Sequence, residues 1–120
     1  MKTITKKLKP TIKSGFDLKQ WRRGIGITRP VYANLSNCSE RTLATKEGEK
    51  RLSMKSERGL NETMRLLIAL GEIMEKENIT TWLNEKNEWF DNQTPMNVIS
   101  QGKIDSIWEM IFHTREGGYA

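Results

Sequence analysis

The chain holds a single cysteine, Cys38, and a single histidine, His113, in 120 residues. One cysteine excludes an intramolecular disulfide and a thiolate metal cluster, so a reducing cytoplasm is the expected compartment. One histidine, with no cysteine or serine constellation near it in the sequence, gives no basis for a nucleophilic triad. Neither a glycine-rich phosphate loop nor a metal-ligand spacing is present. No apolar run approaches membrane-spanning length, and the charged start leads into no apolar core of a signal peptide. Alternation of apolar and polar residues, the mark of a half-buried strand, is missing too, as is any internal repeat. The chain is therefore not expected to be an enzyme, and no catalytic residue, metal or cofactor is expected of it. Cys38 reads as a small apolar residue in a turn, and His113 as a partner for the last carbonyls of a helix.

What is present is bulk and unevenly divided charge. Only 36% of residues are hydrophobic, yet four Trp and six Met supply volume for one domain, or for two small units sharing a core. Residues 1–60 carry fifteen Lys/Arg against five Asp/Glu, whereas residues 61–120 carry five against ten. A basic front half suits a polyanion and an acidic back half does not. The expected division is a basic flexible arm at 1–15, a helix-turn-helix DNA-binding region at 16–58, and a helical C-terminal region at 59–120.

The front half is organised around residues 27–49. Two short helical patterns flank the break Leu35-Ser36-Asn37-Cys38. Val31, Tyr32 and Leu35 share one face of the first, and Ala33 allows close approach of a neighbouring helix. Leu43 and Ala44 anchor the second. Thr28 and Ser39 stand where side-chain oxygens can cap the two helices. Such a pair matches a helix-turn-helix, whose second helix lies in the DNA major groove. Ser39 and the free N–H groups behind it are then candidates for phosphate. Arg41 can read guanine through O6 and N7, and Glu40 can accept from cytosine or orient Arg41. Arg29, Thr42, Thr45 and Lys46 complete the candidate DNA-binding set. The plain alternative for each is a solvated surface residue.

The arm, with five lysines by residue 14, suits a DNA backbone or minor groove, or equally a strand pairing with another chain. A first helix is expected at residues 18–23, with Asp17 as cap and Trp21 in the core. Arg22 and Arg23 are left to touch phosphate or to stand exposed. Residues 50–60 read as loop or ragged helix. The clearest helix is 61–77, with Leu60, Met64, Leu67, Ile68, Gly71 and Met74 at helical spacing. This stripe is core, a dimer seam, or both, and Met64, Leu67, Gly71 and Met74 are the dimerisation candidates. Residues 78–81 reset the chain. Thr94-Pro95 starts a helix that stops at Gln101-Gly102. A last helix spans 103–114, with Ile104, Ile107, Trp108, Ile111 and Phe112 on its apolar face. Gly117-Gly118 ends it. The fold class expected is all-α.

Residues 28–47 resemble the Xre (Cro/repressor-like) helix-turn-helix through Ala33, Ser39, Leu43 and Glu47. Asn37 stands where that family often has glycine, which Asn can replace because it tolerates the left-handed conformation. Lys46 stands where an aromatic is common. Residues 79–111 resemble the toxin-binding domain of the Xre/MbcA/ParS antitoxin family through Trp82-Leu83-Asn84 and Thr94-Pro95-Met96, followed by glycine-bearing ends. The family's proline after Trp-Leu-Asn is absent, replaced by Glu85-Lys86. The resemblance implies an Xre-like bundle followed by a small C-terminal helical toxin-binding domain. It implies a homodimeric antitoxin that binds operator DNA as an autorepressor and covers a RES-domain toxin, whose partner chemistry consumes NAD. Trp82, Arg115, Glu116 and Tyr119 are then the toxin-binding candidates. A stand-alone transcriptional regulator, and an adaptor that has lost DNA binding, stay open as alternatives.

Overall fold

The computed structural model describes residues 11–117. Most of the expected arm, together with Gly118 and the toxin-contact candidate Tyr119, lies outside the described residues. Among the described residues the chain is all-helical, as its pattern predicts. The order is α1 (Gly15–Gly24), α2 (Arg29–Leu35), α3 (Glu40–Glu47), α4 (Met54–Ile73), α5 (Lys76–Leu83), α6 (Pro95–Ser100) and α7 (Ile104–Arg115). A single 3-10 turn, Glu88–Phe90, lies between α5 and α6, and one isolated bridge pairs Asn87 with Gln93. No described helix is long and apolar enough to cross a membrane.

α1 begins earlier than the apolar spacing predicts. Ser14 is its cap: the Ser14 hydroxyl accepts from the Asp17 N–H at 3.1 Å and the Asp17 carboxylate accepts from the Ser14 N–H at 3.2 Å. Asp17 is thus the reciprocal member of a capping box rather than the cap. The end of the expected arm is fixed to the fold. Ile12 is buried, and the Asn61 side-chain amide holds its backbone in both directions, accepting from Ile12 N at 2.8 Å and donating to Ile12 O at 2.9 Å. Gly15 sits so close to α3 that a Cβ would lie 2.3 Å from the Lys46 carbonyl oxygen. Only glycine lets these two helices meet there.

α4 is the axis of the molecule, and its limits differ from the expected 61–77. Ser53 caps it, accepting from the Ser56 N–H at 3.1 Å, so residues 54–60 are its first turns rather than a loop. It stops at Ile73, and residues 78–81 lie within α5 instead of resetting the chain. No glycine or proline marks the break at Met74-Glu75. Packing imposes it: the turn lets Ile79 and Leu83 of α5 return to the core beside α4. The expected domain boundary between residues 58 and 59 falls inside α4. Tyr32 of α2 donates its hydroxyl to the Leu60 carbonyl at 2.7 Å, and Ser36 and Thr63 share a hydrogen bond of the same length. Both halves feed one core.

That arrangement separates the dimerisation candidates. Met64 and Leu67 are each only 2% exposed and pack inside the monomer, Met74 packs at the core's edge, and Gly71 faces outward with no atom near the place of a Cβ. The four do not share one face, because the monomer's core takes Met64 and Leu67 while Ile68 and Gly71 of the same stripe stay outside.

At the C-terminal end the caps match expectation. Thr94 accepts from the Asn97 N–H at 3.1 Å to start α6, and Gly102, with φ of 82°, turns the chain into α7. α7 packs on α4 and α6. Ile107, Met110 and Ile111 are buried, whereas Phe112 points out.

Candidate nucleic-acid interface and aromatic patch

The α2–turn–α3 unit presents a short helix with one face open. Ser39 caps α3, accepting from the Thr42 N–H at 3.0 Å and donating to the Thr42 hydroxyl at 2.9 Å. Asn37 has φ of 58°, so the turn uses the left-handed conformation that its side chain tolerates. Leu43 is fully buried and fixes the inner face. Ser39, Glu40, Arg41, Thr42 and Thr45 are exposed, and the Thr45 hydroxyl bonds back to the Arg41 carbonyl at 3.2 Å. Among the described residues no carboxylate forms an ion pair with Arg41.

Three basic residues proposed or considered for DNA are engaged elsewhere. Glu47, buried at the end of α3, accepts from Arg22 Nε at 2.6 Å and Arg22 Nη2 at 3.2 Å. It also accepts from Arg29 Nε at 3.1 Å, and Arg22 Nη1 donates to the Ile27 carbonyl at 3.0 Å. Arg22 is therefore neither exposed nor a phosphate contact, since its planar fork matches a carboxylate bidentately. Arg29 is partly exposed but tied to the same carboxylate. Burial pushes the Glu47 carboxyl up, and the hydrogen bonds and charges of Arg22 and Arg29 outweigh it, leaving the group below its ordinary value. Lys46 donates through Nζ to the Ser56 hydroxyl at 2.7 Å and so faces the start of α4. Of the set read from sequence, the structure brings Ser39, Glu40, Arg41, Thr42 and Thr45 together on the open face and takes Arg29 and Lys46 off it. Cys38 is half-buried in the turn, and burial pushes its thiol up against the smaller opposing pull of Lys46.

The back half shows the reverse. Trp89 is 42% exposed and Phe112 51%. The Trp89 ring lies 5.0 Å from that of His113, and Phe112 lies 6.1 Å from Trp108. The Arg115 guanidinium sits 5.8 Å from the Phe112 ring centre, a cation–π distance, and pairs with Glu72. Glu88, Asp91, Glu109 and Glu116 are exposed on the same elements. Of the toxin-contact candidates, Arg115 and Glu116 stand at this end of α7. Trp82 is half-buried instead, edge-on to Phe90 at 6.4 Å. Trp89 carried no functional role in the sequence reading. The signal was the Trp89-Phe90 pair: a 3-10 turn sends Phe90 into the core and leaves Trp89 outside.

No protein-family model matches the chain, and no curated protein sequence does. Among solved structures, it is similar to a chain in the crystal structure of the M. tuberculosis MbcT–MbcA toxin–antitoxin complex. The two are 19% identical, with a TM-score of 0.64, over 86% of this chain and 94% of that one. What this likeness establishes is a shared all-helical fold over 86% of the chain.

Proposed function

We propose that this chain is the antitoxin of a type II toxin–antitoxin pair, covering a toxin with its C-terminal half and binding its own operator DNA through α3 as an autorepressor. The observation that carries the reading is the likeness in fold to a chain of the MbcT–MbcA complex along 86% of this sequence. The Trp82-Leu83-Asn84 and Thr94-Pro95-Met96 signatures support it, falling at the end of α5 and the start of α6. The toxin is of the RES-domain type, and the NAD-consuming chemistry belongs to it. Its contact surface includes the exposed rings Trp89, beside His113, and Phe112, beside Arg115, with Glu116 at the same end of α7. Exposed aromatics ringed by charge are the usual anchors of a protein interface. DNA is met by Ser39, Glu40, Arg41, Thr42 and Thr45. A homodimer uses the outward side of α4 around Ile68 and Gly71, because Met64 and Leu67 are committed to the core.

The test is expression of the product of the neighbouring gene, alone and with this chain. Alone it should arrest growth and deplete cellular NAD; together the two should copurify and growth should recover. A neighbour whose product leaves growth and NAD untouched contradicts the reading. Glu85-Lys86, in place of the family's proline, favours a second reading: a stand-alone regulator that binds its promoter and captures no toxin.

A further inference from the structure

A groove of about 590 Å³ opens beside the start of α3. One wall is the α2–α3 turn, with Asn34, Asn37 and Ser39; the other is the C-terminal half, with Asn84, Asn97 and Ser100. No charged residue lines it. That is unexpected in a half with ten carboxylates, and the sequence shows how it arises: from Asn92 to Gly102 there is no charged residue at all. Grooves around Met54, Lys76 and Met74 each include a glutamate, whereas one between the α2–α3 turn and the start of α4 is lined by Lys46 and Lys55. The stretch that packs α6 against α2 is thus the part of the acidic half that would not repel a polyanion. Asn97, Ser100 and Gln101 are exposed there. Asn, Gln and Ser side chains are common donors to DNA phosphates, where they set position without reading bases.

We propose that this groove receives the sugar–phosphate backbone of duplex DNA flanking the bases reached by α3, so that α6 forms part of the DNA interface. The proposal rests on the DNA-binding reading of α3. The N-terminal end of a recognition helix is the end that meets base edges. Ser39 marks that end of α3 and lines the groove, so a duplex engaged by Arg41 runs past its mouth. Asn97 gives one side-chain N–H to Gln93 Oε1 at 2.7 Å and keeps the second for phosphate on the opposite wall. Ser100, whose hydroxyl donates to the Asn97 carbonyl at 2.8 Å, stands beside it and turns that hydroxyl to phosphate only when DNA is bound. A consequence is that the footprint on DNA depends on the half of the chain that carries the aromatic patch.

The experiment is fluorescence anisotropy with a labelled duplex from upstream of the chain's own gene, at two salt concentrations. The proteins are the full chain, Arg41→Ala, the neutral double variant Asn97→Ala/Ser100→Ala, Asn97→Glu and Asn97→Lys. All changed positions are exposed, and thermal melts check folding. The expected results are binding weakened about threefold to tenfold by the neutral pair and more than tenfold by Asn97→Glu. Asn97→Lys should tighten binding and steepen its salt dependence by about one counterion. If the full chain binds and Arg41→Ala weakens it, while none of the α6 variants changes affinity, the groove proposal is overturned and the DNA reading stands. If the full chain binds no duplex, both fall. Loss of copurification with the neighbouring gene product in the α6 variants, with DNA affinity unchanged, would give the groove to a protein and also overturn the proposal.

Discussion

The two halves of this molecule use their conspicuous side chains in opposite ways. In the front half, Arg22, Arg29 and Lys46 belong to a basic region, yet each is turned to structural work, on Glu47 or on Ser56. In the back half, Trp89 and Phe112 look like core, yet they stand exposed in an acidic surrounding. Residue type alone misassigns both groups. A guanidinium next to a buried carboxylate satisfies that carboxylate before any ligand is present. An aromatic on a stripe wider than its partner helix is left in solvent.

Breaking the Arg22–Glu47–Arg29 network should have the largest effect. Glu47→Ala leaves the buried Arg22 guanidinium without its counter-charge and should destabilise the fold by about 3–5 kcal/mol, read in urea unfolding. The same residue gives a pH dependence. Its folded-state pKa is depressed, so its contribution is present above the ordinary carboxylate range and is lost as pH falls through the lowered value. Glu47→Gln should flatten that acid limb; an unchanged limb would remove Glu47 as its source.

The opposite half should respond in binding, not in stability. Trp89→Ala with Phe112→Ala should shift the unfolding free energy by no more than about 1 kcal/mol, because both rings are largely exposed. It should weaken capture of the neighbouring gene product by about 2 kcal/mol or more. A large stability loss with normal capture would make the patch structural. Asn61→Ala tests whether residues 11–14 are truly fixed to α4. The buried Ile12 backbone loses its partner, at a cost of about 1–3 kcal/mol, and amide exchange at Ile12 should accelerate. Arg41→Ala should reduce sequence preference on DNA by about 1–3 kcal/mol with stability unchanged within about 0.5 kcal/mol. Equal loss on all duplexes would make Arg41 a phosphate contact.

Local chemistry made much of this architecture legible in the sequence. The Ser39 and Thr94-Pro95 caps, the turn around Asn37 and the Ile107–Ile111 face follow from propensity and spacing. What escaped depends on tertiary packing. Met74-Glu75 carries no stop signal, and the helix breaks there because α5 must reach the core. Glu47 lies 25 residues from Arg22 and 18 from Arg29, so their meeting exists only once α1, α2 and α3 have docked. Helical spacing put Met64 and Leu67 on a stripe that could be core, dimer seam or both, and only the packed monomer shows both buried in its own core.

The most direct test of the account is growth of cells producing the neighbouring gene's product together with the intact chain, the Arg41→Ala variant or the Trp89→Ala/Phe112→Ala variant. Growth should be restored by the first two and not by the third. Equal rescue by all three, or a neighbouring product that is harmless alone, would contradict it.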